Sequence, residues 1–310
     1  MIIRLEETTT SKVAARLVAL REEGGAVALG RVLTLIVVVN GGDLEEAVDA
    51  ANDASREHPC RVIVIVAGAA GEADGLDAEI RVGGDAGASE VIVLRPHGAV
   101  RETLDTLVMP LLLPDAPIVT WWTHEVPVSP AESPLGVMAQ RRITDVLQCP
   151  DPRAELTRLA AHHSPGDTDL AWARATLWRG LISAALDEPP FETVRSVTIT
   201  GNSAHPSVTM LAAWLGLALR TAITVEHEAD AVALTGVRLT RAGGDIAMVR
   251  PEGSSVLHIT RPDGIKQKVS LPLRTLSDCL VEELRRLDPD EVYGTVLTKG
   301  LARLAKEEKR

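Results

Sequence analysis

The residues best placed to do chemistry lie at Thr200-Gly201-Asn202-Ser203-Ala204-His205, between an apolar strand pattern and a helical one. A strand-to-helix turn presents unpaired backbone N–H groups and the positive end of the helix dipole, and both attract anions. Gly201, Ser203 and His205 are therefore candidate anion-binding residues. The function they would serve is an enzyme or sensor acting on a small phosphorylated metabolite. The plainer reading is that Ser203 caps the following helix, a common use of serine.

Other chemistry-bearing residues point nowhere in particular. Gly83-Gly84-Asp85-Ala86-Gly87 has the look of a phosphate loop, but it lies between two strand patterns and is not G-x-G-x-x-G. A tight turn explains it better. His162 and His163 are adjacent and should point apart, and His124 stands alone beside a proline-rich loop. Cys60, Cys149 and Cys279 are far apart, with no C-x-x-C pair or metal-ligand spacing. They read as structural thiols in a reducing compartment. The chain has no G-x-S-x-G elbow, no H-E-x-x-H and no G-x-x-x-x-G-K-[ST] loop. No catalytic, cofactor-binding or metal-binding residue is assigned, and the expectation is a protein that is not an enzyme.

Binding is the alternative to catalysis, and tryptophan beside arginine is the usual composition of an interface centre. On a helix expected from Asp167 to Ala185, Leu170, Ala173, Leu177, Leu181 and Ala184 form an inward stripe, while Trp172, Thr176 and Arg179 share another side. Trp172 and Arg179 are the first partner-binding candidates; burial on both sides of that helix is the rival explanation. Trp121 and Trp122 end a strand, so they face opposite ways, and one of them must meet something other than a single core face. Trp122 is a further candidate. Arg141 and Arg142 are secondary ones, as a charged rim or as internal salt bridges with residues such as Asp145.

The elements that must position these residues follow from periodicity. Val32–Val39 and Arg61–Val66 are continuous apolar runs, and between them Asp43 caps a helix reaching Arg56. That is a β-α-β unit of a parallel sheet buried on both faces. Strands are expected at Asp77–Val82, Glu90–Leu94, Pro117–Trp122 and Ile143–Leu147, with a helix over Val100–Leu113. Cys149-Pro150-Asp151-Pro152 marks a boundary between an N-terminal domain, 1–149, and a C-terminal domain, 150–310. In the second, a strand at Val194–Thr200 and a helix at His205–Ala218 precede five more strands, with a hairpin turn at Arg261-Pro262-Asp263-Gly264. The expected fold is α/β: a mostly parallel N-terminal sheet flanked by helices, then an α+β lobe with a mostly antiparallel sheet.

Composition narrows the function. Of 310 residues 45% are hydrophobic, yet Phe191 and Tyr293 are the single Phe and Tyr, so the cores are aliphatic. A net charge of -11 argues against nucleic-acid binding, which needs cations to displace counterions. No apolar run is long enough to span a bilayer, and the first residues lack a secretory pattern. The expected location is the cytoplasm.

Several segments together resemble a known family. They are Leu111-Leu112-Leu113-Pro114-Asp115-Ala116-Pro117 leading into Trp121-Trp122, Arg141-Arg142-Ile143-Thr144-Asp145, Pro165-Gly166-Asp167-Thr168-Asp169-Leu170-Ala171-Trp172, Ala51 to Pro59, and Asp278 to Pro289. In order and combination they are similar to the bacterial glucose-6-phosphate dehydrogenase assembly proteins, the OpcA family. The resemblance implies a non-enzymatic cytoplasmic partner of glucose-6-phosphate dehydrogenase that promotes its assembly or allosteric activation in the oxidative pentose phosphate pathway. It implies no cofactor and no catalytic residue.

Overall fold

A computed structural model of the chain describes residues 1–23, 31–41, 43–66, 73–82 and 90–307. The glycine-rich segment 83–87 lies outside them. The chain forms two compact units. The first comprises Met1–Asp145, Ser164–Thr168 and Thr275–Pro289; the second comprises Val146–His163, Asp169–Arg274 and Asp290–Arg310. The division expected at residue 149 is contiguous, whereas here two later segments return to the first unit.

The first sheet contains β1 (Ile2–Leu5), β2 (Leu33–Val39), β3 (Cys60–Val66), β4 (Gly75–Arg81), β5 (Glu90–His97), β6 (Ile118–Trp122), β7 (Arg141–Thr144) and β8 (Asp167–Asp169). Their spatial order is β1-β4-β5-β3-β2-β6-β7-β8. The pairs β5–β3, β3–β2, β2–β6 and β6–β7 are parallel, and the β1–β4 and β4–β5 pairs are antiparallel. The β-branched runs of β2 and β3 explain the centre of this sheet: every residue of β2 is buried, and all but Thr34 are apolar. Asp43 caps the intervening helix Leu44–Glu57, accepting from the Glu45 N–H at 2.8 Å. The core packs Ile36, Val38, Ile63, Ile65, Ile92 and Trp122 among other aliphatic residues.

The second sheet, β9 (Ser196–Gly201), β10 (Ala222–His227), β11 (Leu234–Thr240), β12 (Ile246–Val249), β13 (Val256–Thr260) and β14 (Lys266–Ser270), runs β10-β9-β11-β12-β13-β14. Among the described residues of this sheet only the β9–β10 pair is parallel. Helix Pro206–Leu219 joins those two strands and buries Val208, Leu211, Ala212 and Leu215 in the unit's core with Trp178, Ile182 and Ile199. Thus the fold is α/β, with a mostly parallel and a mostly antiparallel sheet.

Where the structure departs from the expected elements, tertiary bonds explain it. The long helix expected from Asp167 is instead β8, a short helix Leu170–Arg174 and a second helix Thr176–Leu186. Asp167 is held by Arg142 and by the Ser164 N–H, so it cannot serve as a cap. Asp169 caps instead, accepting from the Ala171 N–H at 2.8 Å. The helix expected over Val100–Leu113 is divided among turns and the short helix Leu104–Val108.

Candidate functional site

The second unit contains a cavity of about 170 Å³ at the start of helix Pro206–Leu219. Three arginines line it, Arg174, Arg250 and Arg274, with His205 and Ser207, and among the described residues no Asp or Glu does. His205 is the helix cap: its Nδ1 accepts from the Ser207 N–H at 3.2 Å, and Pro206 occupies the first helical position. The ring's remaining proton is therefore on Nε2. Burial, aided by the charge of Arg174, pulls the His205 pKa down to about 4, so at neutral pH the ring is an uncharged donor. Arg250 follows β12 and donates to the Leu234 carbonyl at 2.7 Å and the Leu271 carbonyl at 3.3 Å. Its guanidinium lies 5.7 Å from the centre of the Trp178 ring. Arg274 donates to the Ala173 carbonyl at 2.8 Å.

Only one of the three sequence-derived anion candidates reaches this cavity. His205 lines it; Gly201 and Ser203 do not. Ser203 is not the cap. Its Oγ lies 3.1 Å from Nδ1 of His227, an exposed pair that the sequence did not single out, because 24 residues separate its members. Gly201 is a structural requirement: its φ is 148°, and a Cβ there would stand 2.3 Å from the Ala233 carbonyl oxygen. Arg174, Arg250 and Arg274 were missed, since they come from three distant segments that share no spacing.

The first unit carries a crevice of about 360 Å³. It opens at the carboxyl ends of β2 and β6, where the strand order reverses, the usual ligand position in such sheets. Asn40, Arg101, Glu102, Trp122 and Glu125 line it. The neighbouring helix start does not suit a pyrophosphate, because Asp43, Glu45 and Glu46 occupy its cap and first turn. Among the described residues no group of three or more His, Cys, Asp or Glu could hold a metal ion.

The partner-binding candidates are mostly interior. Trp172 is 2% exposed; its Nε1 donates to Asp290 at 2.8 Å and its ring meets Tyr293. Arg179, half-buried, lies with its guanidinium carbon 3.4 Å from the centre of the Trp172 ring and donates to the Thr176 hydroxyl at 2.7 Å. That cation–π contact joins the two short helices that carry the tryptophan and the arginine. Trp122 is buried in the first unit's core. Arg141 and Arg142 are buried too, and as neighbours on β7 they point to opposite faces. Arg141 donates to the Glu283 carboxylate and to the Asp288 carbonyl at 2.9 Å. Arg142 donates to Asp167 and to the carbonyls of Ala139 and Pro165. Each arginine thus pins one of the two segments that return to this unit.

Fold and site together define a two-unit α/β protein with a basic, largely apolar cavity in one unit and a switch-point crevice in the other. Two family models match it in succession. Both describe a glucose-6-phosphate dehydrogenase subunit: the model of its N-terminal domain matches residues 51–161, and the model of its C-terminal domain matches residues 165–297. The chain belongs to this family, the OpcA glucose-6-phosphate dehydrogenase assembly family. No curated protein matches it. Among solved structures, UDP-N-acetylglucosamine 3-dehydrogenase from Acidithiobacillus ferrooxidans is similar at 12% identity and a TM-score of 0.38, over 89% of this chain and 96% of that one. The myo-inositol dehydrogenase from Lactobacillus casei is similar at 11% identity and a TM-score of 0.39, over 90% and 95%. Likenesses this distant carry no argument about activity. Among the described residues no helix is long and apolar enough to cross a membrane.

Proposed function

We propose that the chain is a non-catalytic accessory protein that binds glucose-6-phosphate dehydrogenase and promotes its assembly or allosteric activation. The observation that carries this is the succession of two models of one assembly family, together spanning residues 51–297. In this reading the protein acts in the cytoplasm, in the oxidative pentose phosphate pathway, and takes neither nucleic acid nor membrane as a partner. Activation requires that it bind the active state of the dehydrogenase more tightly than the others, because equal affinity for both shifts nothing. Of the sequence-derived partner candidates, Arg179 is the one left half-buried, so the surface around it is the part of that expectation still open to a partner.

The test is co-expression with the dehydrogenase of the same organism, then size-exclusion chromatography and kinetics on the peak. The proteins should co-elute, and kcat should rise or the KM for glucose 6-phosphate fall by roughly 5–150-fold, the range of ordinary allosteric coupling. Separate elution at every ratio and salt concentration would refute the partnership. Co-elution with unchanged kinetics would reduce the role to a tether.

A further inference from the structure

The cavity of the second unit combines donors with an absence of carboxylates. Arg250 is 5% exposed, and the carboxylate that acts on it, Glu252, does so from beyond salt-bridge distance. Its two backbone carbonyl partners hold the guanidinium in place but do not neutralise it. A buried charge whose counter-charge stands off is costly, and a bound partner of opposite sign offsets part of that cost. Ser207 supplies a second, independent sign. It lines the cavity, and its Oγ is fully buried with no hydrogen-bond partner. A buried hydroxyl left unpaired is the exception in folded proteins. It sits in the first turn of a 14-residue helix, whose amino end favours negative charge. His205 adds a neutral ring whose Nε2 carries the proton.

The remaining wall is apolar, with Leu147, Leu177, Trp178, Val232, Leu234 and Leu273 among its members. The enclosed space, about 170 Å³, is close to that of cavities known to hold a benzene-sized molecule. It therefore accepts an anionic head and a few carbons, and any larger body emerges at the mouth. Three arginines on one cavity wall suit a dianion better than a single carboxylate. We propose that this cavity binds a small organic phosphate monoester, with the phosphate facing Arg250, Ser207 and His205 and the carbon skeleton facing Leu177 and Trp178. The site is distinct from the turn at Gly201 and Ser203, neither of which lines it. The proposal is independent of the partnership above.

The experiment is calorimetric titration of the purified full-length chain, with no dehydrogenase present, using phenyl phosphate as probe and benzoate as its monoanionic counterpart. Phenyl phosphate should bind saturably at one site and more tightly than benzoate. Ser207→Ala, which deletes only a hydroxyl, should weaken binding about tenfold, the value of a hydrogen bond to a charged group. Arg250→Gln should weaken it further. Since Arg250→Gln could also disturb the fold, Ser207→Ala with an unchanged melting temperature is the deciding variant. No saturable binding up to about 10 mM, unchanged affinity in Ser207→Ala, or benzoate binding as tightly as phenyl phosphate would each overturn the assignment.

Discussion

Arg141 donates to the carboxylate of Glu283, which lies 142 positions further along the chain and is buried in the same unit. Burial pushes the Glu283 carboxyl above the ordinary carboxylate range, and Arg141 opposes that push. Removing one partner of such a pair leaves an uncompensated charge. Arg141→Ala should therefore cost about 3–5 kcal/mol in urea denaturation, and Arg141→Met with Glu283→Leu should recover most of it. The deficit of the single variant should shrink as pH falls toward 4.5, because the folded state then holds a proton on Glu283 that the unfolded state has released. A loss below about 1 kcal/mol would mean that the pair contributes as little as an exposed one.

Trp172 should behave as a core residue. Trp172→Ala is expected to cost about 3–5 kcal/mol of stability, read as a lower melting temperature of the isolated protein. Trp172→Phe keeps an aromatic ring but loses the hydrogen bond to the charged Asp290, which still accepts from the Tyr293 N–H, so it should cost about 1–3 kcal/mol. A Trp172→Ala protein with an unchanged melting temperature and impaired binding of the dehydrogenase would return this residue to the surface.

His205 gives the second unit an acid sensitivity with a defined sign. Its folded pKa, about 4, lies below its ordinary 6.5, so the unfolded chain takes up the proton first as pH falls. The stability it contributes is fully present above pH 6.5 and is lost between 6.5 and about 4. The span corresponds to about 3 kcal/mol. Asparagine can also cap a helix, so His205→Asn should flatten this part of the curve of melting temperature against pH while leaving the fold intact. An unflattened curve would place the acid sensitivity elsewhere.

The cysteines should differ in access. Cys60 and Cys279 are buried and Cys149 is half-buried; none is in a disulfide. A thiol reagent should label Cys149 in the native protein and reach the other two only on unfolding. Replacing each by Ala should leave any activation of the dehydrogenase intact. Loss of a reductant-dependent response in one well-folded variant would reveal a redox role.

Much of the fold was legible because it is local. The β-branched runs of β2 and β3, Asp43 as a cap, and the alternation of strands in the second sheet all express preferences that act over a few residues. The failures are long-range. Asp167 reads as a helix cap until Arg142 claims its carboxylate, and Arg141, readable as a charged rim or an internal salt bridge, finds its partner in Glu283 only from the far end of the sequence. Trp172 and Arg179, expected on one side of a single helix, fall on two successive helices and meet through a cation–π contact. The cavity was legible only at His205, because a spacing rule finds neighbours in sequence, and its arginines are neighbours only in space.

The return of segments 164–168 and 275–289 to the first unit also bears on synthesis. As the chain leaves the ribosome, Arg141 and Arg142 emerge early, but Glu283 and Asp288 follow only after most of the second unit has been made. The first unit therefore waits, with one buried arginine unanswered, until its neighbour has had time to form. Neither unit corresponds to a fragment that can be cut out at a single point, and a nascent chain stopped before residue 275 would hold every strand of the first sheet but not the helix Leu276–Arg285 that brings Glu283 to Arg141.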